Sequence, residues 1–186
     1  MLPVREASVA LQGRELARVR MAPRGAVEPD ELLGLLGDAD RNRLQGLTRA
    51  ERREEFVISR ALRDELLSQS FTHCSISHCD AWIAVAGAHA PIGFDVETRL
   101  PRHVEAVSER LGWPSQQAEE RLQAWTLWEA SRKLIGGSVL DRPDRRYRAV
   151  LRMAPSLYAN PQRIEGAVWW SLSLDPGIAS VALDTA

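Results

Sequence analysis

Ser75-Ile-Ser-His-Cys-Asp-Ala-Trp-Ile-Ala-Val-Ala-Gly-Ala-His-Ala-Pro-Ile-Gly-Phe-Asp-Val-Glu97 is the stretch on which both fold and chemistry turn. It holds two apolar, β-prone segments, 81–86 and 92–96, separated by a turn with Gly87 and Pro91, and this predicts a hairpin. Successive side chains of a strand leave opposite faces, so Asp95 and Glu97 share one face while Phe94 and Val96 share the other. Neighbouring carboxylates repel unless a positive charge sits between them. The pair reads either as a solvated strand end or as half of a divalent-cation site, since Mg2+ prefers hard carboxylate oxygens.

The 186 residues are 45% hydrophobic and 26% charged, the composition of an ordinary globular chain with one domain or two small halves sharing a core. With 24 basic and 25 acidic side chains the net charge is -1, which argues against a general nucleic-acid binder. No apolar run approaches the ~20 residues that cross a bilayer, and charges are scattered from Met1 to Arg20. Neither a membrane span nor a signal peptide is expected, and a cytoplasmic location is the default. Cys74 and Cys79 alternate with His73 and His78, but in an extended strand these side chains divide between two faces and cannot converge on zinc. They read as reduced, buried cysteines. Of the 24 basic side chains a single one, Lys133, is lysine. This is either chance or a position that wants a compact ammonium rather than a planar guanidinium.

Residues 1–27 alternate in short pieces and predict one or two strands. Pro29 and the leucines at 32, 33, 35 and 36 predict a short helix ended by Gly37, followed by a helical tract capped by Asp38 or Asp40. Thr48-Arg-Ala-Glu51 has the spacing of a capping box opening a helix to Ser68, with Phe56, Val57, Ala61, Leu62, Leu66 and Leu67 as its buried stripe. Further helices are expected over 103–111 and 115–135, the latter capped by Ser115 and stopped by Gly136-Gly137. Strands are expected over 147–153, 164–174 and 178–183. The sum is an α+β chain with a hint of internal duplication, divided into an N-terminal half, 1–90, and a C-terminal half, 91–186.

In the 115–135 helix, Trp125, Glu129 and Lys133 recur every four residues and stack on one face. An ordinary Glu129–Lys133 surface pair, worth ~0.3 kcal/mol, is the plain account. A face with an acid and an amine also suits a metal-bound phosphate, the acid adding an oxygen ligand and the amine a point charge.

Ser75-Ile-Ser-His78, Ile92-Gly-Phe-Asp-Val-Glu97 and Trp125-Thr-Leu-Trp-Glu-Ala-Ser-Arg-Lys133, in this order and spacing, resemble the 4'-phosphopantetheinyl transferase superfamily. The larger, single-chain surfactin-synthetase-activating type is the nearer match. The stretch 52–67 also looks like that family's first long helix. The resemblance implies two similar α/β halves related by a pseudo-twofold, with coenzyme A in the cleft between them. It implies transfer of the phosphopantetheine arm of coenzyme A to a serine of an acyl or peptidyl carrier protein, releasing 3',5'-adenosine bisphosphate. Asp95, Glu97 and Glu129 match the family's Mg2+ ligands, Lys133 its catalytic lysine, and Ser77 and His78 its coenzyme A contacts. Arg41, Arg43, Arg60 and Arg63 are candidates for further phosphate contacts, because guanidinium groups fork phosphate well. The base for the carrier serine is Glu129, or a water held by it or by Glu97.

The chain departs from the family in three places. The usual Gly-Lys-Pro loop is missing, since only 68–74 separates the long helix from the Ser-His strand. Trp128 stands where the family has a lysine, and the chain is shorter than most relatives of this type. A non-catalytic coenzyme A-binding or carrier-docking protein on the same scaffold is the alternative, and a metal-dependent phosphohydrolase a third reading. Carrier contact is expected from apolar residues between 112 and 128, and a monomer is the simpler assembly for two halves in one chain.

Overall fold

A computed structural model describes residues 2–100, 117–137, 145–153, 157–158 and 160–184. The architecture is α+β, with two four-stranded antiparallel sheets and helices packed on them. The first sheet comprises β1 (Arg5–Leu11), β2 (Arg14–Pro23), β3 (His73–His78) and β4 (Trp82–Ala88), in the order β1-β2-β4-β3. The second comprises β5 (Ile92–Glu97), β6 (Gln162–Ile164), β7 (Ala167–Leu174) and β8 (Gly177–Asp184), in the order β5-β8-β7-β6. A short 3-10 helix (Pro29–Leu35), α1 (Asp38–Gln45) and α2 (Ala50–Ser68) precede β3. Helices α3 (Ala118–Ile135) and α4 (Arg145–Met153) lie between β5 and β6.

The expected hairpin does not form. β4 has both edges filled, by β2 and β3, and β5 pairs along its length with β8, from Ile92↔Leu183 to Glu97↔Ile178. A turn signal states that the chain reverses, not which strand it will pair with. The apolar run of β4 is buried throughout, as a central strand covered on both faces should be.

Residues 147–153, expected as a strand, are the helix α4. Tyr147, Val150 and Leu151 are spaced by three and four, which gathers them on one helical face, and Tyr147 and Val150 are fully buried. The expected strand 164–174 is the hairpin β6–β7, whose turn residues Glu165 and Gly166 have φ of 50° and 82°, a primed-turn signature. Thr48-Arg-Ala-Glu51 forms no capping box: α2 starts one residue later, with Arg49 at its N-cap and no side-chain cap bond. Its buried stripe includes Ile58, while Leu67 is exposed. Gly136 ends α3 in the left-handed region (φ 71°), with the Gly137 N–H donating to the Arg132 carbonyl at 3.0 Å. The expected helix 103–111 and the cap at Ser115 lie outside the described residues.

One apolar cluster joins the sheets, with Val19, Met21, Ala84 and Ala86 of the first against Phe94, Val96 and Val181 of the second. Others fill the spaces beneath α2 and beneath α3 and α4. Where β3 and β5, the edge strands, meet, Ser75 Oγ accepts from Phe94 N at 3.0 Å and Ser77 Oγ from Val96 N at 3.4 Å. Two hydroxyls therefore satisfy backbone donors that an edge strand would leave unpaired. Among the described residues no helix is long and apolar enough to cross a membrane.

Candidate functional site

The site grows from this seam. Gly93 lies directly under α3: a Cβ there would sit 1.8 Å from the Ala130 carbonyl oxygen and 2.6 Å from the Leu134 nitrogen, so only glycine lets the helix backbone approach β5 so closely. That approach sets Lys133, one turn beyond Glu129, over the neighbouring Asp95. Lys133 Nζ donates to Asp95 Oδ1 at 2.8 Å and to Ser77 Oγ at 3.0 Å, and Ser77 Oγ donates to the same Oδ1 at 2.7 Å. Three elements, β3, β5 and α3, thus meet at one carboxylate. Asp95 is 3% exposed, and its other oxygen, Oδ2, is buried with no hydrogen-bond partner among the described residues. Burial pushes its carboxyl up, against the pull of the Lys133 ammonium and the Ser77 hydroxyl.

Glu97 and Glu129 are each half-buried beside this junction. Burial, and then the charge of Asp95, pushes Glu97 up to about 8, with Glu129 and Asp80 adding to it and Lys133 opposing. The same two causes push Glu129 up to about 7. The three acids share one region closely enough to repel one another. As placed, they are not drawn into a ligand set: among the described residues no three His, Cys, Asp or Glu side chains are grouped to hold a metal ion.

Next to the acids opens a cleft of about 420 Å3, lined among others by Arg24, Glu55, His78, Asp80, Glu97 and Arg99. His78, at the end of β3, has Nε2 3.4 Å from Glu55 Oε2. Burial chiefly, with Arg24, Arg52 and Lys133 adding, holds its pKa below the usual value despite Glu55. No protein-family model matches the chain, and no curated protein matches it.

The other predicted site residues lie elsewhere. Arg60 and Arg63 pair with Asp40 at 3.2 Å each, and Arg63 also with Asp64 at 2.7 Å. Arg43 and Arg60 stack on the Phe56 ring at 5.6 and 4.7 Å. Arg41 is exposed, with Asp38 3.8 Å away. None of the four lines the cleft. Trp125 and Trp128 belong to the core beneath α3, where Trp128 meets Tyr147 at 4.7 Å. The position where the resemblance expects a lysine therefore faces the interior rather than the acids. The part of the expected carrier-gripping run from Leu122 to Trp128 is likewise buried, and 112–116 lie outside the described residues.

Sequence reasoning missed Arg24 and Glu55. Arg24 follows a strand end without any motif, and Glu55 sits in Glu51-Arg-Arg-Glu-Glu55, which reads as a solvated helix face.

In donor chemistry the acids suit Mg2+: all three are hard oxygen groups, and the unpartnered Asp95 Oδ2 is a buried lone-pair site that a cation would satisfy.

Proposed function

We propose that the chain transfers the 4'-phosphopantetheine arm of coenzyme A to a serine of an acyl or peptidyl carrier protein, with Mg2+. The observation that carries this reading is the junction of Lys133, Asp95 and Ser77 beside a cleft walled by Glu97 and His78. The motifs that resemble the transferase superfamily come from three separate parts of the sequence, and they supply the residues of this junction.

The topology supports the pseudo-twofold. In the first half β2, α2, β3 and β4 follow in sequence, and the sheet places β2 beside the last strand and the last beside the penultimate. In the second half β5 precedes α3, and the sheet places β5 beside the last strand, β8, and β8 beside β7. Each half adds one outer strand, β1 or β6.

Asp95, Glu97 and Glu129 would hold Mg2+, which when bound supplies positive charge to a diphosphate. Lys133 offsets the charge that develops on the departing bisphosphate. Glu129 or Glu97, directly or through a water, accepts the proton of the carrier serine. His78 lines the coenzyme A side, while Ser77 is buried behind it and holds Asp95 and Lys133.

Incubating apo carrier protein with coenzyme A, Mg2+ and the chain, then weighing the carrier, tests the proposal. A gain equal to the phosphopantetheine arm is the expected result. Coenzyme A binding without modification would favour the non-catalytic alternative, and adenosine bisphosphate released without a modified carrier would favour hydrolysis.

A further inference from the structure

Glu55 draws more donors than a helix-surface acid needs. Its Oε1 accepts from Arg24 at 2.5 Å and its Oε2 from Arg52 at 2.8 Å, with His78 Nε2 3.4 Å from Oε2. The side chain is 12% exposed and stands in the wall of the cleft. Two guanidinium groups and an imidazole around one carboxylate are the surroundings a phosphate group seeks.

Arg24 and His78 do not depend on Glu55 for their positions. Arg24 is tied independently, its Nε donating to the Cys79 carbonyl at 2.5 Å. Glu54 steadies the same corner by accepting from Gly25 N at 2.6 Å. His78 is held by its backbone, in register with Ile83 of β4. Arg52 lies one helical turn before Glu55 on α2, with its side chain 57% exposed. If Glu55 turned away, Arg24 and His78 would stay in the cleft wall, and the exposed Arg52 side chain, bonded to Glu55, would be freed beside it.

We propose that Glu55 is an internal anion occupying a phosphate-binding position in the cleft, so that a phosphate-bearing ligand binds by displacing its carboxylate from Arg24, Arg52 and His78. The inference rests on the functional reading for the ligand class, a nucleotide phosphate. Glu55 lowers affinity for anions in general and restricts the pocket to ligands whose other contacts repay the displacement.

Calorimetric titration of the full chain with 3',5'-adenosine bisphosphate tests this. Glu55→Gln, which removes the competing charge, should bind about tenfold tighter or more than wild type, because like charges in one site repel. Glu55→Asp, which keeps the charge, should not gain. Glu55→Gln should also melt lower than wild type without ligand yet show the larger ligand-induced rise in Tm, which a purely structural salt bridge would not give. Arg52→Gln alters an exposed side chain, so folding is not at risk, and it should weaken binding. Unchanged or weaker binding in Glu55→Gln, unchanged binding in Arg52→Gln, or no binding by any variant would overturn the proposal. Tighter binding in Glu55→Gln with no carrier modification by wild type would sink the transfer reading and leave the pocket standing. Carrier modification with unaltered binding would do the reverse.

Discussion

At the scale of single residues, the account turns on how the Asp95 carboxyl is held inside the protein. A buried carboxyl needs hydrogen-bond partners, and Lys133 and Ser77 supply them. Lys133→Met should therefore cost roughly 1–3 kcal/mol, less than for a fully buried pair because the lysine side chain is 31% exposed. Urea unfolding measures it. Glu97 gives a pH signature: its carboxyl moves from 4.5 to about 8 on folding, so between these values the folded state holds a proton that the unfolded chain has released. Stability from this group falls as pH rises through that window and levels off above about 8. Glu97→Gln should accordingly gain in Tm relative to wild type as pH rises across the same range. A constant difference would remove Glu97 from the buried acid group. The sequence announced Lys133 by its rarity and Asp95 and Glu97 by their spacing. Arg24 and Glu55 were illegible because their partners are 31 residues apart and no local pattern records that pairing.

At the scale of elements, placement of α3 on β5 decides whether Lys133 reaches Asp95. Gly93→Ala puts a methyl carbon inside the Ala130 carbonyl, and the helix must retreat. The expected loss is about 1–3 kcal/mol or more, read by thermal unfolding, with the proposed transfer falling together with stability. Ser75→Ala leaves the Phe94 N–H without its acceptor and should cost about 1–3 kcal/mol. Helices α2 and α3 were legible from period and from the Gly136 stop, because those signals are local. The β4–β5 pairing was misread, since the partners of β5 lie near residue 180, far along the chain. The error at α4 came from reading alternation over 147–153 where the three-and-four spacing of Tyr147, Val150 and Leu151 carried the information.

At the scale of the whole molecule, two antiparallel sheets share a core, and a hydroxyl seam joins their edge strands, with the acid group and the cleft beside it. The α+β class was readable from element types alone. The joint was not, because it depends on two edge strands from different sheets facing each other. The central claim is that acids from β5 and α3 form one divalent-cation site. Titrating Mn2+, as a paramagnetic stand-in for Mg2+, into the chain with coenzyme A present, and following free Mn2+ by electron paramagnetic resonance, tests it most directly. Wild type should bind one ion, and Asp95→Asn and Glu129→Gln should each weaken that binding about tenfold or more. Equal Mn2+ affinity in all three proteins would contradict the claim.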